Sequence, residues 1–239
     1  MLAIIRLLFI ALFILFSGLF GLLMCIFIPF HPNHVHRVAS WYGSVATILG
    51  VKIEISVAPE VKDGPYVFVA NHQNSYDIFT ITKAVPARTV SIGKKSLKWI
   101  PFFGQLYWLT GNILIDRSNR SKAVGTISKA AEKIKRKGLS VWMFPEGTRS
   151  YGRGLLPFKV GAFHTALQAD VPVVPVCMST THDKIKLNRW HNGTIYIELL
   201  APIKLSAKDS IREQAQNVHA IMQDKIKQLD AKVADQESK

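Results

Sequence analysis

Residues 66–79, YVFVANHQNSYDIF, decide how the chain is read. The first five, β-branched and aromatic, make a run of the length and composition of a buried strand. The next seven are mostly Asn, Gln, Ser and Asp, which bond their own backbone and permit a sharp turn. A helix starting near Ser75 would hold Asp77 in its first turn. Such a turn has no need of a histidine, so His72, five residues before Asp77, is the feature to explain. Two readings stand at this point. Asp77 caps a helix beside an ordinary turn histidine, or His72 is a general base whose tautomer Asp77 fixes.

The same succession recurs outward from this stretch. Runs at 51–57, 89–93, 112–116, 140–144, 171–178 and 194–200 also read as strands, bounded by Gly, Pro and Asn. Between them, 119–137 has Ala123, Ile127, Ala130, Ala131 and Ile134 on one helical face, 159–169 is a shorter helical stretch, and 207–233 is a final amphipathic helix. Strands alternating with helices predict an α/β fold: a single domain with a mixed, mostly parallel sheet flanked by helices. Functional groups in such sheets gather beyond the carboxyl ends of strands. Three of those ends are chemically unusual: YVFVA before NHQNSYD, NILID before Arg117, and SVWMF before PEGTRS.

Ahead of this domain, Leu7–Ile28 carries no charged side chain over 22 residues. That exceeds the apolar core of a signal peptide and matches the roughly 20 residues that a bilayer requires of a helix. The run ends in IPFHPNHVH without a cleavage-like site, so a retained N-terminal helical membrane element is expected. A second half-apolar stretch follows, and the two could form a hairpin in one leaflet. The expected division is 1–50 for the membrane-anchoring helices and 51–239 for the catalytic domain.

The formal net charge is +14, of which +12 lies in residues 61–200. A basic body favours anionic partners, and an apolar anchor makes a phospholipid surface the natural one. No zinc finger, RNA-binding aromatic signature or recognition helix is present, so no nucleic-acid partner is expected. The two cysteines, Cys25 and Cys177, offer neither a disulfide framework nor a CxxC pair.

The loop FPEGTRS combines an arginine, a hydroxyl and flexible backbone, which suits phosphate binding but also an ordinary surface turn. Arg117, and Lys159 in LPFKVGA, add candidate charge, although each also reads as a solvated side chain. His31, His34 and His36 lack neighbouring carboxylates or thiolates, and no metal site is expected. No nucleophile elbow, P-loop or dinucleotide fingerprint occurs. In KKSLKWIPFFGQLYWLTG, 94–111, aromatics beside lysines suit either a bilayer interface or a buried cluster.

Taken in order, NHQNSYD, GNILIDR, FPEGTRS and VPVVPV resemble the four blocks of the glycerolipid acyltransferase family, most closely its bacterial 1-acylglycerol-3-phosphate acyltransferases. The resemblance covers roughly 60–180. It implies acyl transfer from acyl-CoA or acyl-carrier protein to the sn-2 hydroxyl of lysophosphatidic acid, forming phosphatidic acid without a cofactor or covalent acyl-enzyme. By that resemblance His72 is the base, oriented by Asp77, while Arg117, Glu146, Gly147, Thr148 and Arg149 hold the glycerol phosphate, with Lys159 a possible further contact. Glu146 would orient Arg149 or meet the glycerol. The same likeness implies the bacterial inner membrane, with the catalytic domain on its cytoplasmic face. Rival readings are acylation of glycerol 3-phosphate or another lysophospholipid, a membrane-bound lipid hydrolase, and a non-enzymatic protein that binds anionic lipid.

Overall fold

The run at the centre of the quoted stretch becomes strand β2, Val67–Ala70, buried at all four positions. The computed structural model describes residues 1–62, 64–116 and 120–238. All seven runs read as strands form one sheet: β1 (Lys52–Val57), β2, β3 (Thr89–Lys94), β4 (Ile113–Ile115), β5 (Ser140–Met143), β6 (Val173–Met178) and β7 (Thr194–Leu199). Their order is β1-β7-β6-β2-β5-β3-β4. Only the β6–β7 pair is antiparallel, so the sheet is mixed and mostly parallel as expected.

Helices cover both faces, as a mostly parallel sheet requires. Successive β2 residues alternate between the faces. Val67 and Val69 pack with α4 (Arg120–Lys137), α5 (Gly161–Ala169) and α6 (Ile211–Glu237), through residues such as Ile134, Phe163 and Met222. Phe68 and Ala70 pack on the other side with Tyr42 and Val45 of α2 (His34–Ile48) and with Leu49 just after it. Among the described residues, helix α1 (Leu2–Phe27) is the one long and apolar enough to cross a membrane. Its buried positions include Ser17, Gly18, Gly21 and Cys25, whereas Leu8, Phe16, Phe20 and Phe27 are exposed.

The segment 94–111 divides its aromatics between the two roles read for it. Trp99 and Trp108 are exposed, whereas Phe103 and Tyr107, on and beside α3 (Phe103–Leu109), line an internal cavity. The histidines after α1 are occupied structurally. His34 Nε2 meets the Ile28 carbonyl and His36 Nδ1 the Val85 carbonyl. Among the described residues no group of His, Cys, Asp and Glu could hold a metal ion.

Candidate active site

Three loops meet at the carboxyl ends of β2, β5 and β6. The β2 loop is built around Asp77, in the first turn of a short 3-10 helix, Ser75–Ile78. Asn74 caps that helix by accepting from Tyr76 N, and Asp77 reciprocates by accepting from Asn74 N. The same Asp77 oxygen, Oδ2, accepts from Gln73 N and lies 2.6 Å from His72 Nδ1. Both readings of Asp77 therefore hold at once: the carboxylate caps the helix and pairs with the histidine. With Nδ1–H directed to Asp77, His72 Nε2 is the ring nitrogen available to the cavity. The imidazole also stacks on Phe144, with ring centroids 4.1 Å apart and planes 20° from parallel.

The polar residues around His72 do more than bend the chain. Asn71 accepts from Met178 N and donates to its carbonyl, both at 2.9 Å. Gln73 donates to the carbonyls of Met178 and Ser179 and accepts from Thr181 N. These bonds join residues more than 100 positions apart, so the turn is clamped to the end of β6. The sequence reading credited these side chains to local bonding, because no spacing within 70–79 points to residue 178.

From β5 the second loop carries Glu146–Arg149. Glu146 is 3 % exposed. Its Oε1 accepts from His72 N at 2.6 Å and its Oε2 from Leu156 N at 3.0 Å. Burial pushes its carboxyl up to about 7, against the opposing pull of those two N–H groups, with Asp77 adding to the rise. Backbone bonds lace the loops further: Ser150 N donates to His72 O and Tyr151 N to Gln73 O.

Gly147 has φ +71, a left-handed conformation that suits glycine, and a Cβ there would come within 2.8 Å of Lys159 Nζ. Lys159 lies ahead of α5 rather than on it, its backbone N bonded to Pro145 O. Read from sequence as a helical surface lysine, it is exposed as expected but lies before the helix, with its side chain beside Gly147 of the second loop. Arg149 Nη1 donates to Ser75 Oγ at 3.4 Å and to Tyr151 Oη at 3.3 Å. Its Nε is buried and unbonded among the described residues. Arg117, the other candidate arginine, lies outside the described residues.

His72, Asp77, Gly147, Thr148, Arg149 and Lys159 line one cavity of about 810 Å³. Its polar groups gather around His72. Beyond them its walls are apolar, formed by Ala39, Tyr42, Ile78, Ile81, Leu97, Phe103, Leu106 and Trp142. One polar inset interrupts them, where Ser91 Oγ meets Tyr107 Oη at 2.6 Å and Asn112 Oδ1 at 2.9 Å. A base, the cations Lys94, Arg149 and Lys159, and an apolar chamber in one space suit an amphiphile with an anionic head. Cys177 offers no competing nucleophile. It is fully buried, and burial pushes its thiol up to about 12.

The chain belongs to the acyltransferase family, whose model matches residues 52–179 and so takes in the loops after β2 and β5. Across 100 % of its length it is 50 % identical to the 1-acyl-sn-glycerol-3-phosphate acyltransferase of Escherichia coli, covering 98 % of that protein. It is 35 % identical to the Saccharomyces cerevisiae protein of the same name, over 90 % of this chain and 73 % of that one. Among solved structures, the 1-acyl-sn-glycerophosphate (LPA) acyltransferase of Thermotoga maritima superposes with a TM-score of 0.77 at 27 % identity, covering 96 % and 95 % of the two chains. The likeness read from the four sequence blocks is thus borne out at the level of family and fold.

Proposed function

We propose that the protein transfers an acyl group from acyl-CoA or acyl-carrier protein to the sn-2 hydroxyl of 1-acylglycerol 3-phosphate, giving phosphatidic acid. The observation that carries this reading is the His72–Asp77 pair lining the same cavity as the Arg149 and Lys159 cations and a set of apolar side chains. His72 Nε2 takes the hydroxyl proton as the oxygen attacks the thioester carbonyl. The new C–O bond forms, the C–S bond breaks, and the imidazolium returns its proton to the departing thiolate. Asp77 steadies the imidazolium during the interval in which it is charged. General-base help of this kind contributes about 10²–10⁴-fold, and alignment of two bound substrates adds to it.

Arg149 and Lys159, with Arg117, supply positive charge for the substrate phosphate, while Thr148 offers a hydroxyl and Gly147 allows close backbone approach. Glu146 serves a different purpose from these neighbours. Its bonds to His72 N and Leu156 N support a role in bracing the base loop rather than in touching phosphate. The apolar chamber accommodates acyl chain. We place the protein at the bacterial inner membrane through α1, with the site on the cytoplasmic side, where thioester donors are made.

The purified chain, given lysophosphatidic acid with labelled acyl-CoA in one arm and labelled acyl-carrier protein in the other, should form phosphatidic acid. His72→Ala should lower that rate about 10³-fold while membrane attachment and the circular dichroism spectrum stay unchanged. Substantial residual transfer would remove His72 as the base. Free fatty acid as the main product would make the protein a hydrolase.

A further inference from the structure

The loop at 186–191, KLNRWH, is far from α1 in sequence but encloses its first turns. Arg6 is 4 % exposed, and its guanidinium is spent on backbone carbonyls of this loop. Nη1 donates to Lys186 O at 3.4 Å, Leu187 O at 2.9 Å and Arg189 O at 2.6 Å, and Nη2 donates to Trp190 O at 3.0 Å. Ala3 N adds a bond to Asn188 Oδ1 at 2.9 Å. Gly50 lets the loop sit this close, since a Cβ there would meet Trp190 O at 2.0 Å. The outer side of this collar is Trp190, 71 % exposed, with Lys186, Arg189 and His191 exposed around it.

The other end of α1 is held in a similar way. Phe30 N donates to Leu109 O, and the Phe30 ring packs edge-on against Trp108. Trp99 stands out nearby, 77 % exposed, with Lys98 Nζ 4.4 Å from its ring centroid. Between the two ends, Ile10, Phe13, Ser17, Gly21 and Cys25 face inward at helical spacing. A 26-residue helix is about 39 Å long, and the catalytic domain lies against it from end to end. A crossing along the bilayer normal would carry that domain into hydrocarbon. Tryptophan among lysine and arginine, by contrast, is the composition of a headgroup-level anchor.

We propose that residues 186–191 form a second bilayer anchor, seated on an anionic phospholipid surface in the same leaflet as the Trp99–Trp108 end. This rests on the membrane attachment proposed above, and the test separates the two. The full chain is bound to vesicles of phosphatidylethanolamine and phosphatidylglycerol whose outer leaflet carries a shallow nitroxide-labelled lipid. Flotation reports attachment, and quenching of tryptophan emission reports contact. Trp190→Phe should remove about a third of the quenchable emission, because Trp190 is one of three strongly exposed tryptophans that meet the interface.

Unchanged quenching in a variant that still floats overturns the second anchor and leaves attachment standing. A chain that does not float overturns both. In a second set of vesicles labelled only in the inner leaflet, quenching of Trp190 from that side alone would make α1 a spanning helix and also overturn the proposal. Lys186→Glu, which alters a side chain on the exposed rim, should weaken binding to the anionic vesicles about fivefold or more at low salt. Equal loss on zwitterionic vesicles would contradict the anionic preference.

Discussion

The two loops that meet beside His72 hold their side chains very differently. His72 is fixed from every side: its ring by Asp77 and Phe144, its N–H by Glu146, its carbonyl by Ser150 N. Arg149 is held by two long bonds to exposed hydroxyls and keeps a buried, unbonded Nε. A base must meet one proton along one line, so its orientation is set before substrate arrives. A phosphate-binding arginine gains its strong, charge-assisted bonds only when the phosphate is present. Under the proposed roles, the difference suits a preorganised base and an adaptable arginine.

The sharpest way to break this contrast is Asp77→Asn, which keeps an acceptor for the surrounding N–H groups and removes the charge. Turnover should drop about 10²-fold or more with little change in KM for either substrate, as read from steady-state kinetics. A change in KM alone would mean that Asp77 serves binding. Arg149→Ala addresses the opposite loop. KM for lysophosphatidic acid should rise about tenfold to a hundredfold, the worth of charged hydrogen bonds, with KM for the acyl donor unchanged. An effect confined to the donor would reverse the assignment of the phosphate.

Glu146 sharpens the contrast through stability. Its folded value is raised from 4.5 to about 7, so the neutral carboxyl is the form that folding favours. That contribution is complete below about pH 4.5 and is lost as pH rises through about 7, a change of roughly 3 kcal/mol. Glu146→Gln cannot ionise, so its loss of melting temperature between pH 6 and pH 8.5 should be smaller than that of the parent chain. The amide also sets an N–H against one of the two backbone donors. Turnover should therefore fall while KM for lysophosphatidic acid holds, and the reverse pattern would return Glu146 to the phosphate.

Much of the fold was legible because each strand announces itself locally. VFVA, VVPVCM and TIYIEL are apolar and β-branched between breakers, and all become buried strands. The order of the strands was not legible. Placing β7 between β1 and β6 depends on pairings such as Lys52 with Thr194, which no local pattern encodes. Likewise, His72 and Asp77 stood out through residue chemistry at a strand end. The inward turn of Glu146 and the clamps by Asn71 and Gln73 depend on partners supplied from far along the chain. Arg6 and Trp190 were passed over for the same reason: each looks ordinary until the other is beside it.

The Arg6 collar also sets an order of events during synthesis. The carbonyls that satisfy Arg6 lie 180 to 184 residues downstream of it. A ribosome must therefore build most of the catalytic domain while this guanidinium waits for its partners. Through that interval α1 is an apolar segment with one uncommitted cation at its start, free to settle at a lipid surface with Arg6 among the headgroups. The collar can close only after Trp190 has emerged. Arg6 is thus made long before the carbonyls that satisfy it.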